Sequence, residues 1–589
     1  MAEPKPLGVD RAAAVGEIGD WLVSRLGAMA IAPPIAAGAE TSDFTDAWRL
    51  PAMATLRDPV TLDVLVDADF PHTSPRIRWF DAPPFPSIPH VERDGLLCLV
   101  PGEGEVDPAM PIDVLRGLLV DAADLLEAGL SGANADDFLT EFLSYWNPSA
   151  DGPVFTSIVD PCGPSRPIVV WRGTSMVVVA EDAQALRQWL ARRIGKTVVA
   201  DVTIRQAALL WLDAPLAPPD YPRSLDDVLA IAAAAGGAAP DLLQGLMARP
   251  GEIVAIFGAD VTGGAVLAAA TARALPPPGF QGRRGRGRRA PVAGVQDWKR
   301  SRVERSAVSR ADAWWVHGRD ANPDVTALRT ATVGIVGCGS LGSTTARLLA
   351  QAGVGRLRLV DPETLTWANT CRHALGAREV GGNKAERLAH RLRGDFPDTP
   401  VEAFASRWRA LAGADPAALE TCDLLVSTIG SWGQEGGLDA WCEADGRSIP
   451  VVYGWGEAFG VGGHAVLIGA GSGRLGFGLD RFGTPSFLVA SFDGDTLARE
   501  PACGSFFQPY GAGDIEAVAV LVASLALDAL LERAAPGAHR MLAAPLRQVE
   551  LAGGRLTDDW IALSGGRTGG GNVEERTWPD APGDAAGAD

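Results

Sequence analysis

The sequence predicts a multidomain protein of mixed α/β and α+β class: an N-terminal α+β domain, a middle α/β linking domain and a C-terminal Rossmann-like domain. Three observations predict it. Helix-period patterns at about residues 12–28 and 112–130 enclose short strand-like runs such as "TLDVLVDADF" and "PRIRWF", the signature of an α+β unit. A β-branched pair, "IVVWRGTSMVVVA", then precedes the amphipathic stretch "EDAQALRQWLARRI". In "ATVGIVGCGSLGSTTARLLAQAGVGRLRLVD", residues 331–361, an apolar strand enters G-x-G-x-x-G at Gly337, Gly339 and Gly342, a helix follows, and a second strand ends at Asp361.

The boundaries follow from composition. At 589 residues the chain exceeds what one core organises. Residues 1–150 form the first domain, and the turn-rich "WNPSADGPVFTSIVDPCGPSRP" separates it from the middle domain at 165–275. "PPPGFQGRRGRGRRAPVAG" carries turn formers and arginines without apolar periodicity, which makes residues 276–300 a linker. Its arginines could hold an acidic partner or a nucleic acid, but a solvated tether is the expectation. The last domain spans 301–565, and "GGRTGGGNVEERTWPDAPGDAAGAD" predicts a disordered tail at 566–589.

Charge and cysteine usage exclude several function classes. A net charge of −20 argues against broad nucleic-acid or membrane-surface binding. No apolar run has membrane-spanning length, and the opening "MAEPKPLGVDRAAAVGEIGDWLVSRLGAM" lacks the order of a signal peptide, so a cytoplasmic location is expected. Seven cysteines, none in a C-x-x-C pair, supply neither a structural zinc pattern nor a disulfide framework.

The glycine motif is the strongest local signal. Its glycines let backbone approach phosphates at a helix N-terminus, and the Asp361 carboxylate, 19 residues after Gly342, accepts ribose hydroxyls. By itself this says nucleotide binding, with an oxidoreductase as the default. The next residues change that default. "VDPETLTWANTCRHALGAREVGGNKAERLAHRL" places Asn369, Arg372 and Lys384 where a triphosphate would meet a forked and a point cation.

With these residues in order, the span resembles the adenylation domain shared by ubiquitin-activating enzymes and bacterial sulfur-carrier adenylyltransferases. That family reads G-x-G-x-x-G, a strand-end Asp, Asn-x-x-Arg, then Lys-Ala. The resemblance implies ATP, Mg2+, adenylation of the C-terminal carboxylate of a small protein, and a homodimer in which an arginine reaches in from the partner. Arg310 is the candidate for that arginine and Arg319 the alternative. Two departures stand out. The family's magnesium-holding Asp is replaced by Gly430, and its zinc-binding cysteine pairs are missing; no metal ligand is assigned, and Asp423 is not given the role. Cys503, in "REPACGSFFQPYGAGDIEAVAV", falls where the resemblance puts a crossover loop, which makes it the expected first acyl acceptor, since a thiolate is an effective attacking group. Cys338 and Cys371 are expected to be fitted for size.

Nearer the N-terminus, "DFPHTSPRIRWFDAPPFPSIPHVERDGLLCL" resembles the ubiquitin-conjugating core. Phe70-Pro71 and Pro75 match its first element; Pro89, Gly95 and Cys98 match the spacing of its His-Pro-Asn, Gly and catalytic Cys. His90 stands where the family has Asn, and would stabilise an oxyanion, lower the thiol pKa or shape the turn. Asp94 is read as part of the turn with Gly95. The order of the two halves resembles bacterial fusion enzymes of antiphage operons, of which those of CBASS, the cyclic-oligonucleotide antiphage system, are the best known. That implies as partner the C-terminal tail of a ubiquitin-like protein or of a cyclic nucleotide synthase, with target protein amines as acceptors. The alternative is a sulfur-carrier adenylyltransferase whose front domain is not catalytic.

Overall fold

In a computed structural model, the structure describes residues 10–35, 42–52, 59–99, 106–195, 203–249, 251–273, 301–499, 506–568 and 570–580. Two compact units result. One comprises residues 1–155, 161–177 and 206–309, the other 156–160, 178–205 and 310–589.

The first unit opens with α1 (Arg11–Leu26), whose Asp10 cap accepts the Ala12 N–H and whose end is the left-handed Gly27. A four-stranded antiparallel meander follows: β1 (Met29–Ile31), β2 (Asp46–Arg49), β3 (Thr61–Val66) and β4 (Arg76–Phe80). The register is set by burial, because Leu62 and Val64 of β3 and Ile77 of β4 must share one face. Onto that face pack Ile18 and Leu22 of α1 with Leu115, Leu118, Ala122 and Leu126 of α2 (Pro111–Ser131). The short α3 (Asp137–Thr140) and α4 (Phe142–Ser149) follow. Trp146 of α4 is fully buried with Phe142, Tyr221 and Phe257, and its indole N–H donates to the Ser306 carbonyl at 2.9 Å. The expected boundary at 150 therefore falls just past a helix whose aromatic face belongs to the next core.

The strand pair expected around residues 168–180 is present as Arg166–Arg172 and Val177–Ala180, and the amphipathic stretch after it is α5 (Ala183–Ile194), capped by Asp182. In the first unit β5 (Ile204–Trp211) runs parallel to β6 (Glu252–Val261), β6 pairs antiparallel with β7 (Gly264–Arg273), and β7 with β8 (Val303–Arg310). Between β5 and β6 lies α6 (Leu225–Ala235), opened by a Ser224–Asp227 capping box. Two expectations are corrected here. Residues 303–310 were assigned to the last domain, yet β8 pairs Ala268 with Ala307 and Ala272 with Val303. The segment 165–275 is not one self-contained body either, since residues 178–205 cluster with the second unit. The linker expected at 276–300 lies outside the described residues.

The second unit is built on an eight-stranded sheet ordered β11-β10-β9-β12-β13-β14-β15-β16. Its strands are β9 (Thr332–Val336), β10 (Arg356–Val360), β11 (Val401–Phe404), β12 (Leu424–Ser427), β13 (Val451–Gly456), β14 (Gly462–Ile468), β15 (Ala538–Ala543) and β16 (Val573–Thr577). The first five in space are parallel, and β14, β15 and β16 are antiparallel additions. Buried along most of their length, β9 (TVGIV) and β12 (LLVS) are largely apolar. The helices that cover them include α7 (Ser340–Gln351), α8 (Lys384–Asp395), α9 (Trp432–Glu443) and α10 (Ala512–Leu530). The tail expected to be disordered from 566 instead supplies β16, and Trp578 beyond it is buried with its indole N–H on the Arg474 carbonyl at 3.1 Å. Its acidic alternation masked a strand because Trp578, the anchoring apolar residue, stands at the very end. No described helix is long and apolar enough to cross a membrane.

Candidate functional site

In the second unit, the C-terminal end of β9 and the N-terminus of α7 form a glycine cradle. Gly337 has φ +92, and a Cβ on Gly342 would overlap the Gly337 carbonyl and the Thr428 hydroxyl, so both positions require glycine. Asp361 closes the cradle from the end of β10. One of its carboxylate oxygens accepts the Cys338 N–H at 2.7 Å and the other the Glu363 N–H at 2.7 Å. Burial raises its pKa, while the two N–H groups and Lys384 oppose that shift. Asp361 thus holds the loop in shape.

Lys384 starts α8, whose cap Asn383 accepts the Glu386 N–H and donates to the Asp361 carbonyl at 2.9 Å. The Lys384 ammonium is buried and pairs with Glu363 at 2.5 Å. Asn369 accepts from the Thr366 N–H and hydroxyl and so closes the single turn that carries Arg372. Arg372 donates to the Ala368 carbonyl at 2.9 Å and lies 5.3 Å from the Tyr510 ring centroid, while the Tyr510 hydroxyl meets Ser340, the first residue of α7. The cradle, Asp361, Asn369, Arg372 and Lys384 are therefore one connected site. A glycine loop leading into the N-terminus of α7, with these cations on the same connected site, suits an ATP triphosphate.

Sequence reasoning missed two residues here. His373 is buried; its Nδ1 accepts the Leu375 N–H, so Nε2 carries the proton and donates to the Cys338 carbonyl at 2.7 Å. Burial lowers its pKa, which keeps it neutral. The only signal was its place directly after Arg372. The other is Glu435, in the first turn of α9, which accepts from the Ser427 hydroxyl at 2.9 Å and the Gly430 N–H at 3.4 Å. Gly430 itself has φ +67. Glu435 thus returns a carboxylate to the strand end where Gly430 removed one, but its bonded oxygen braces the turn. Among the described residues no group of His, Cys, Asp and Glu is arranged to hold a metal ion, so these side chains do not fit a magnesium cage.

The candidate arginine is corrected. Arg310 is enclosed by Asp312 and Asp320, donating to both Asp312 oxygens at 2.7 and 2.8 Å and to Asp320 at 2.8 Å, with its side chain 6% exposed. Removing a buried guanidinium from two carboxylates would strand both, so Arg310 is an internal brace. Arg319 is exposed at a left-handed turn (φ +50). Of the cysteines, Cys338 is fully buried with its thiol pKa raised by burial, as a residue chosen for size would be. Cys371 is exposed, contrary to that expectation. Cys503 lies outside the described residues.

In the first unit, Gly95 (φ +85) sits under the Trp79 carbonyl and closes a turn with Glu92, and Asp94 accepts the Leu96 N–H, which makes it the turn residue expected. Leu97 then hydrogen-bonds to β4 through the Ile77 carbonyl, and an isolated bridge pairs Val91 with Leu97. That register sets His90 opposite Cys98, and the Cys98 N–H donates to the His90 carbonyl at 2.9 Å. Cys98 is exposed. His90 is left-handed (φ +61), and its N–H donates to the buried Tyr145 hydroxyl at 2.9 Å. Its ring faces two carboxylates: Nε2 is 3.0 Å from Asp137 and Nδ1 is 3.5 Å from Glu141. Partial burial, then Glu141 and Glu92, raise the Cys98 pKa against Arg76. Sequence reasoning missed Asp137, Glu141 and Tyr145, although their spacing of four in "DFLTEFLSY" marks one helical face.

Two family models match the chain. One, described as the ThiF family, covers residues 318–482, and the other, Prokaryotic E2 family B, covers residues 34–154. Among curated relatives, ubiquitin-like modifier-activating enzyme 5 of Gallus gallus is 29% identical over 192 residues, 31% of this chain and 47% of that protein. The ATP-dependent ubiquitin transferase-like protein Cap2 of Enterobacter hormaechei is 32% identical over 123 residues, 21% of this chain and 20% of that protein. This chain therefore spans half or less of the relatives it matches. A crystal structure of E. coli MccB with ATP aligns at a TM-score of 0.30 and 15% identity, covering 44% of this chain and 67% of that chain.

Proposed function

Since the chain joins a prokaryotic E2 family B domain to a ThiF family domain, we propose that it activates and conjugates a protein C-terminus at the expense of ATP. The carboxylate belongs to a ubiquitin-like protein or a cyclic nucleotide synthase, and the setting is antiphage defence. ATP lies in the glycine cradle, with Asp361 toward the ribose and Lys384 and Arg372 toward the phosphates; Mg2+ arrives on the ATP phosphates. Cys503 displaces AMP to form a thioester, Cys98 takes the acyl group by thiol exchange, and a target amine receives it. Each exchange trades one activated acyl bond for another, so positioning and exclusion of water are the protein's main tasks. A cytoplasmic homodimer is part of the reading.

The observation that carries it is the exposed Cys98, hydrogen-bonded through its N–H to His90, on the same chain as a nucleotide cradle suited to making activated acyl groups. The test is to incubate the protein with ATP, Mg2+ and proteins encoded beside its gene, then run non-reducing gels. We expect a reductant-sensitive adduct that disappears in Cys503→Ala and, in Cys98→Ala, forms but does not pass to targets. Unchanged conjugation in Cys98→Ala would remove the conjugating role and leave a sulfur-carrier adenylyltransferase.

A further inference from the structure

Around Cys98 the fold assembles more than a nucleophile. His90 and Cys98 are opposite each other across the Val91–Leu97 bridge, and the Cys98 N–H donates to the His90 carbonyl at 2.9 Å. The imidazole is held from the other side by Asp137 and Glu141. A carboxylate only accepts, so the 3.0 Å contact between Nε2 and Asp137 keeps a hydrogen on Nε2, and in the neutral ring Nδ1 is then the proton acceptor. Nδ1 faces Glu141 at 3.5 Å, so a proton taken up there points at a carboxylate. The backbone is fixed independently: Tyr145, 3% exposed, holds the His90 N–H, and the His90 carbonyl holds the Cys98 N–H. A ring with one nitrogen oriented by a carboxylate, on a residue whose backbone is paired with that of the nucleophile, suits a base.

We propose that His90 is the proton acceptor for the incoming amine when a Cys98 thioester is discharged, with Asp137, Glu141 and Tyr145 as the residues that position it. This rests on the conjugating role proposed for Cys98. The acceptor is a primary amine that arrives as an ammonium, for which the Asp137 and Glu141 carboxylates, 37% and 45% exposed, are the matching charge. It loses one proton to Nδ1 of His90. The amine nitrogen then forms a bond to the thioester carbonyl carbon, the carbon–sulfur bond breaks, and the electron pair leaves on the Cys98 sulfur. The second proton passes from nitrogen to that sulfur, so the products are an amide, the Cys98 thiol and an imidazolium that returns its proton to solvent.

The test loads the full-length protein without ATP, by thiol exchange from a synthetic glycylglycine thioester of mercaptoethanesulfonate, and follows the acyl group on the Cys98 peptide by mass spectrometry. Discharge is timed with free lysine, a cationic amine that needs a base, and with hydroxylamine, which is largely uncharged at neutral pH and needs none. We expect His90→Asn and Asp137→Asn to slow lysine by about 10²-fold, within the range for general base catalysis, and to change hydroxylamine less than about 2-fold. Asn suits the left-handed backbone at 90, so the first variant keeps the turn. Equal slowing with both nucleophiles would make these residues structural, and unchanged lysine discharge would remove the base; either overturns the proposal. A protein that passes this test yet forms no ATP-dependent adduct keeps the base and loses the proposed function.

Discussion

His539 makes the second unit acid-sensitive by a calculable amount. In the sheet, Glu457 accepts His464 Nε2–H at 2.7 Å together with the Val489 and Ala490 N–H groups at 2.6 and 2.9 Å. His464 Nδ1 lies 2.9 Å from His539 Nε2. His464 and His539 are both fully buried, and the Trp578 ring stands edge-on to His539 at 5.0 Å. Burial first, then the charges of His464 and Arg576, lower the His539 pKa from its ordinary 6.5 to about 2. A folded-state pKa depressed below the unfolded one means that the unfolded chain binds the proton first. Stability is thus complete above 6.5 and falls as pH drops through the window from 6.5 toward 2. From pH 7.5 to 5.5 the loss is about 1.4 kcal/mol, or about 2 °C in Tm for a unit of this size. The assay is thermal unfolding of native protein and His539→Gln at both pH values. Other titrating groups act equally on the two proteins, so the variant should lose about 1.4 kcal/mol less on acidification. Equal losses, to within about 0.3 kcal/mol, would refute the reasoning.

Three further outcomes are expected. Gly342→Ala forces a Cβ into the Gly337 carbonyl and Thr428 hydroxyl, and should cost about 1–3 kcal/mol of stability with loss of ATP binding by calorimetry. Tyr145→Phe keeps the ring but leaves the His90 N–H without its acceptor, so hydrogen exchange in residues 90–98 should show protection lower by about 1–3 kcal/mol. Glu141→Gln removes one charge that raises the Cys98 pKa, so alkylation of Cys98 by iodoacetamide near neutral pH should accelerate; an unchanged rate would show that Glu141 does not act on the thiol.

Local pattern made much of this protein readable. The apolar run of β9, the three glycines and Asp361 announce a nucleotide cradle because strand, turn and helix N-terminus all lie within one short segment. Gly95 and Asp94 could be read as a turn for the same reason. Charge pairing was not readable in that way. Arg310 looked like an arginine available to a neighbour, and it was Asp312 and Asp320, two and ten residues on, folded around it, that committed it to the interior. The late strand at 573–577 was hidden because its stabilisation comes from β15, some 35 residues earlier.

The sequence by itself determined the order of the two halves, the glycine geometry at 337 and 342, and a cysteine just after a turn. Those depend on backbone conformation and spacing, which neighbours in the chain dictate. Only the tertiary structure decided that His373 and Asp361 clamp the Cys338 backbone, that Glu435 stands in behind Gly430, and that His90 is aimed at Asp137 and Glu141 rather than left as a turn residue. Each of these is a side chain meeting a partner across a fold, where a hydrogen bond of about 3 Å depends on packing that local sequence does not encode.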